Sequence, residues 1–348
     1  MRLVDVEVTN GDRCVNFAIG ADVGASRLKL VLLDNTGTIV RSTLHPTPQV
    51  GTGPEIVEEI TTAIATFRDE AMALSIDPLG IGIVVPHFVE GSAWIQRSTN
   101  NMSALEGLEL RPLLEERLGT NLAVANDVSA ATMAEHMFGL GRGVNRFLQM
   151  SIGTGVSIGV VIDGELLQFT WGTAGDTGHI IVDTDGMHEC TCGARGCLET
   201  VTSGTGIRES AVRAIQRGEI TALTAQFEAD QDFSAADVAE AARQGDRVAR
   251  AIFDQAARFL AIALADYLQI FAPELIVLAG GVTESSDLWI DQARTCLVEF
   301  ASPSKLSKLR GVKLSKFPHM GAAMGGASLI LFPDRYQHTQ TLTKGSSI

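Results

Sequence analysis

The sequence predicts an internally duplicated α/β fold built as two domains. Three observations carry that prediction. The chain has 348 residues, which is long for one hydrophobic core. Each half opens on a hairpin whose turn bears glycine. Between the hairpins, amphipathic helical segments alternate with short, wholly apolar runs suited to buried strands.

The elements follow in chain order. Asn16–Gly24 and Arg27–Leu33 read as strands around a glycine-bearing turn, and Asp34-Asn-Thr-Gly37 turns the chain into a third strand, Thr38–Leu44. From Pro54 to Leu74, Val57, Ile60, Ile64, Phe67, Ala71 and Leu74 recur at helical spacing, and Pro54 suits a first turn. Leu79–Val85 is a buried strand, Arg111–Leu118 a short helix, Leu122–Ala125 another buried strand, and Val128–Phe138 a helix ending at Gly139. The hairpin pattern then returns. Arg146–Ile152 and Val156–Ile162 are strands around Gly153-Thr-Gly155, and Asp163-Gly164 turns into Glu165–Phe169. Ser234–Ile270 reads as helix with a break near Gly245, and Glu274–Ala279 as a buried strand entering Gly280-Gly281. A small-residue helix, Gly321–Leu331, closes the fold.

Composition narrows the function. The formal net charge is -14 and no basic stripe is present, which disfavours nucleic acid as a partner. Apolar segments are broken by glycine or charge before they reach membrane-spanning length. The first residues lack the basic-then-apolar pattern of a secretory leader, so the expected compartment is the cytoplasm. Of five cysteines, Cys190, Cys192 and Cys197 crowd together, and in that compartment such a cluster suits a metal better than disulfides. Cys14 and Cys296 read as buried small hydrophobes.

Four motifs carry chemistry. Asp22-Val-Gly24-Ala25-Ser26 is a hairpin turn that exposes backbone amides and a hydroxyl, and Asp22 can hold a metal ion through water. Alone it is an ordinary turn. Gly153-Thr154-Gly155 has the same form in the second half, and the two together can grip a polyphosphate. Neither is a Walker loop. Gly280-Gly281 can lie under a flat base, or be only a tight turn. Asp127, at the head of a helix, is a favoured charged position whose common duty is to cap. It can also take a proton from a substrate hydroxyl. His179 with Cys190, Cys192 and Cys197 makes a closed tetrahedral zinc set, structural because no position stays open. His188 competes as ligand; His179 is preferred because Gly178-His179 is expected to begin a strand.

Ala174-Gly-Asp-Thr-Gly-His179 followed by Cys190-x-Cys-Gly-x-x-Gly-Cys197-Leu-Glu199 resembles the ROK family of bacterial sugar kinases, which also contains repressors. The resemblance implies a two-domain actin/hexokinase-like, duplicated ribonuclease H-like fold, with ATP and Mg²⁺ in an interdomain cleft. It implies a small domain of residues 14–125 joined by 321–335, and a larger one of 126–320 with its zinc loop at 179–197. It implies a kinase acting on an alcohol group, with Asp127 as base and Asn100, Asn126, Asp176, His179 and Glu199 at the sugar. Asp22, Gly24, Ala25, Ser26, Gly153, Thr154, Gly155, Gly280 and Gly281 would hold ATP. A homodimer or homotetramer is expected. Three departures stand out. Asp176 replaces the usual Glu, His87 stands where Gly usually follows the proline, and Asn101 competes with Asn100. They point to an epimer, an amino or acylated sugar or a cyclitol rather than plain glucose; the alternative is neutral drift within a glucokinase. The rival functions are a sugar-responsive repressor, for which about twenty residues before Asp22 leave little room, and a non-catalytic sugar-binding protein.

Overall fold

The structure is a computed structural model that describes residues 15–24, 26–86, 89–90, 94–95, 103–108, 110–168, 175–186, 188–229 and 231–336. Ala25, His87, Asn100 and Asn101 lie outside the described residues, as does Cys14. The chain divides into two compact units: the described parts of Met1–Arg142, Glu165–Gly175 and Met320–Ile348, and Gly143–Gly164 with Asp176–His319. The first unit therefore extends past residue 125, because the helix Asp127–Phe138 packs against the closing helix Gly321–Leu331.

The sheet of the first unit runs in the order Ile39–Pro46, Arg27–Asp34, Phe17–Val23, Ile81–Val85, Leu122–Asn126. The first three strands are antiparallel, and the last two join Phe17–Val23 in parallel. Alternation along each strand sorts its two faces. Ile19, Ala21, Val23, Leu28, Leu30, Leu32, Ile81, Ile83 and Val85 point into a core with the helix Gly53–Ala73. That helix brings Ile56, Val57, Ile60, Ile64, Phe67 and Ala71 to the core. Its first turn has Pro54, and the Thr52 N–H donates to Glu55 at 2.7 Å. Leu74, expected on the buried face, is exposed just past the helix end.

The opposite face explains the small residues of Gly321–Leu331. A Cβ at Gly20 would lie 1.8 Å from the Ala323 carbonyl oxygen, and one at Gly82 1.7 Å from that of Gly326. The helix lies directly on sheet backbone, an approach only glycine permits. Gly325 does the same against Ala130, so the closing helix also grips Asp127–Phe138. Asp22 and Lys29 share this face by strand alternation.

The second unit repeats the plan. Val156–Ile162 and Arg146–Ile152 form the antiparallel pair, and Leu275–Ala279 and Val312–Leu314 continue in parallel. The predicted break at Gly245 is real: Ala235–Arg243 and Arg247–Ile270 are separate helices, and Gly245 has a φ of +91°. The helices Gly204–Gln216 and Ser286–Phe300 and the short strand Val312–Leu314 were not expected from sequence periodicity. Glu165–Phe169 shortens to Glu165–Leu166. Cys296 is half-buried on the Ser286–Phe300 helix rather than in the core. Among the described residues, no helix is long and apolar enough to cross a membrane.

Candidate functional site

In the first unit the charged chemistry gathers at the C-terminal ends of the parallel strands, the usual ligand side of such a sheet. Leu122–Asn126 delivers Asn126 and then Asp127 to the head of a helix. The cap is Asn126, not Asp127: the Asn126 Oδ1 accepts from Val128 N at 3.0 Å and Ser129 N at 3.1 Å. Asp127 is thereby relieved of capping, although its Oδ1 accepts from its neighbour Val128 N at 2.8 Å. Burial, then the negative charge of Asp22, pushes the Asp127 carboxyl up to about 7, against the smaller pull of the Val128 N–H and Lys29. Asp127 keeps some contact with solvent, so a substrate atom can reach it.

Asp22 sits two strands away in the same sheet and is buried. Its Oδ2 accepts from the Lys29 Nζ at 2.8 Å across the hairpin. Burial raises the Asp22 carboxyl above its ordinary value, and Lys29 opposes that rise. The turn that follows is pinned from outside. Gly24 N donates to the Arg27 carbonyl at 3.1 Å, and the Thr47 hydroxyl donates to the Gly24 carbonyl at 2.6 Å. Ser26 is exposed beside it.

In the second unit the matching turn is backed by a helix start. Gly153 N donates to the Gly155 carbonyl at 2.9 Å, and Gly204 N to the Gly153 carbonyl at 2.8 Å. The Thr205 hydroxyl donates to the Thr154 carbonyl at 2.9 Å. Glu199 reaches the same turn: its Oε2 accepts from Val156 N at 2.8 Å, and a Cβ on Gly155 would lie 2.5 Å from that oxygen. A Cβ on Gly155 would thus push the Glu199 carboxylate aside, whereas one on Gly153 would meet nothing within 4 Å. Gly280, at φ +93°, lies against the Ile152 backbone, and its carbonyl accepts from the Thr283 hydroxyl at 2.6 Å. Gly281 is exposed and open, the only one of the pair free to underlie a ligand.

The ligand atoms of His179, Cys190, Cys192 and Cys197 all lie within 4.8 Å of one another. His179, not His188, joins the cysteines. The expected strand at Gly178-His179 is instead a short 3₁₀ turn, Thr177–His179, since the chain must bend to aim the ring; sheet-like bridges follow at Ile181–Cys197 and Glu189–Arg195. The Tyr267 hydroxyl holds this turn by donating to the Thr177 carbonyl at 2.7 Å. The separations suit zinc. Cys192 and Cys197 sulfurs are 3.7 Å apart, and the Cys190 sulfur lies 3.2 Å from His179 Nδ1. Tetrahedral ligands with Zn–S bonds of about 2.3 Å are spaced by about 3.8 Å. Gly196, at φ +76°, closes the loop where a Cβ would strike the Asp183 carbonyl at 1.9 Å. His179 turns its Nε2 toward Asp176, 3.4 Å from Oδ1, and Asp176 is largely exposed.

Sequence patterns did not single out Lys29. Its signal lies in the hairpin centred on the 24–26 turn, which sets Asp22 opposite Lys29.

Residues 18–332 match the ROK family. A glucokinase of Halalkalibacterium halodurans is 32% identical over 286 residues, which is 82% of this chain and 86% of the relative. The crystal structure of a ROK family glucokinase from Streptomyces griseus, in complex with glucose and AMPPNP, superposes with a TM-score of 0.75 at 28% identity, covering 90% of this chain and 99% of that one. A ROK family transcriptional regulator, homologous to the E. coli MLC protein, superposes with a TM-score of 0.77 at 28% identity, covering 90% of this chain and 77% of the regulator.

Proposed function

The chain belongs to the ROK family, and from that premise we propose that it is an ATP-dependent kinase acting on a hydroxyl of a sugar or sugar-like polyol. The fold, of the actin/hexokinase type, is that of the family's kinases. The observation that carries the proposal is Asp127: a carboxyl at a helix head, released from capping by Asn126 and held near 7 by its surroundings. A base poised near the working pH suits proton removal from an alcohol.

In the proposed reaction the acceptor hydroxyl gives its proton to an Asp127 carboxylate oxygen. Its oxygen then bonds the γ-phosphorus of ATP as the bond to the ADP oxygen breaks. The turns at Gly24–Ser26 and Gly153–Gly155 offer amides and hydroxyls to phosphate oxygens. Asp22, with one oxygen engaged by Lys29, would hold magnesium through its water shell. Magnesium, when bound, neutralises charge on the transferring phosphate. Asn126, Asp176, His179 and Glu199 are the proposed sugar contacts, with His87 and Asn100 as further ones outside the described residues. Glu199 spends an oxygen on Val156 N, which orients the rest of its carboxylate. His179, Cys190, Cys192 and Cys197 would hold zinc with no position open, so that the ion only fixes the loop carrying Asp176 and His179. The proposed compartment is the cytoplasm, where ATP is abundant.

The acceptor is proposed to be an epimeric or amino hexose or a cyclitol, because Asp176 is one methylene shorter than the family's usual Glu. A coupled ADP-release screen over hexoses, amino sugars and inositols tests both levels. Sugar-dependent ADP release supports the kinase; glucose as the best acceptor removes the narrower proposal; sugar binding without ADP release favours a regulator.

A further inference from the structure

The kinase reading uses Asp22 and Asp127 but leaves the cation between the hairpin strands without a task. Lys29 is not a loose surface lysine. The strand register sets it directly opposite Asp22, and its Nζ lies 2.8 Å from the Asp22 Oδ2. Both side chains are mostly shielded, with 27% and 7% of their surfaces accessible. The sheet rows continue from Asp22 to Val84 and from Val84 to Ala125, two residues before Asp127. Two carboxylates and one ammonium therefore share one face and one end of this sheet.

Few other charges bear on them. Among the described residues of this unit, the strands Ile81–Val85 and Leu122–Asn126 contain no ionisable side chain, nor does the closing helix Gly321–Leu331. On the helix of Asp127, the next ionisable residues are Glu135 and His136, about 12 Å further along the axis. Arg27, on the strand of Lys29, is exposed. Asp22 and Lys29 are thus the charged side chains that act on Asp127, and they act in opposite senses.

Two buried like charges resist ionising together. Asp22 must stay ionised to attract magnesium, and Asp127 must become ionised to take a proton. We propose that Lys29 is a positioning residue of the phosphoryl-transfer site: its ammonium cancels the Asp22 charge and so lets Asp127 work as a base beside an ionised Asp22. The inference rests on the kinase reading for its purpose, though not for its electrostatics.

The test reads Asp127 itself. Protein labelled with ¹³C at aspartate side-chain carboxyls is titrated by NMR, with the Asp127 signal assigned by its loss in Asp127→Asn. In Lys29→Met the Asp127 midpoint should rise by about one pH unit, and Lys29→Arg should restore it. The double variant Asp22→Asn/Lys29→Met, which strands no buried charge, should titrate close to the parent, and it serves if the single variant does not fold. In turnover assays Lys29→Met should lose roughly fivefold in kcat/KM at pH 7 and recover most of it at pH 9. An unchanged Asp127 midpoint in Lys29→Met overturns the inference, as does a raised KM for ATP with an unchanged pH profile, which would make Lys29 a phosphate ligand. If the carboxyl titrates as expected but no sugar is phosphorylated, the kinase reading falls while the charge pairing stands.

Discussion

The two units begin with the same hairpin and end it differently. Phe17–Val23 carries Asp22 near its end, buried and paired with Lys29; Arg146–Ile152 carries Ser151 near its end, paired in register with Ser157. Backbone geometry was duplicated and charge was not. In the proposed reaction both turns would receive phosphate oxygens. At this end of its sheet the first unit has two acids, Asp22 and Asp127, whereas the acid at the second unit's turn, Glu199, is engaged by Val156 N; in the proposed reaction, proton transfer and metal attraction fall to the first unit. The second unit instead spends its polar groups on shape: Glu199 and Thr205 brace the turn, and the His179–Cys197 loop closes on itself.

That division can be broken at its charged side first. Asp127→Asn should lower kcat by roughly 10²–10⁴-fold, the scale of a lost general base. It should also stabilise the protein above neutrality. The folded Asp127 carboxyl titrates near 7 rather than at its ordinary value of 3.8, so the folded state binds the extra proton between those values. Stability attached to this group is therefore present at low pH and is lost as pH rises toward 7. Thermal melts of the variant at pH 8 should lie above the parent, and at pH 4 the two should converge.

On the shape-bearing side, the largest effect should come from the cysteine loop. Cys192→Ser, or a strong chelator, should release about one zinc per chain by a colorimetric assay and lower the melting temperature, by about 2–4 °C for each kcal/mol lost. Activity should follow stability. Loss of activity with no change in melting would show that the loop does more than hold shape.

The smallest effect sharpens the contrast within one turn. Gly155→Ala pushes a Cβ against the Glu199 carboxylate, which must swing away, and should raise the KM for the sugar a few-fold more than that for ATP. Gly153→Ala meets nothing and should stay within about 0.5 kcal/mol of the parent in stability.

Hydrophobic periodicity makes most of this architecture legible in the amino-acid sequence. Arg146–Ile152, Val156–Ile162 and Gly321–Leu331 fall where expected because each is a short apolar or small-residue run with sharp ends. Gly204–Gln216 escaped because two glycines in its first turn disguise a helix whose start braces the 153–155 turn. The clustering of His179, Cys190, Cys192 and Cys197 was legible from spacing, since four such side chains in a short stretch leave few arrangements. The loop backbone was not: a ring must be aimed at three sulfurs, and the chain bends at Thr177–His179 where a strand was expected to begin. The cap fell to Asn126 rather than Asp127 for a similar reason. Either can cap, and only the geometry of the helix head decides which side chain folds back. Lys29 was hidden because a pairing across a hairpin leaves no local pattern, only a sum of residue numbers around the turn.

The pH dependence of kcat/KM for the best acceptor probes the poised carboxylate most directly. With saturating magnesium and the unmodified protein, the rate should fall tenfold per pH unit below about 7, and this limb should vanish from the residual activity of Asp127→Asn. Full activity maintained down to pH 5, with a limb only near the ordinary carboxylate range, would contradict an Asp127 tuned by its surroundings to serve as the base.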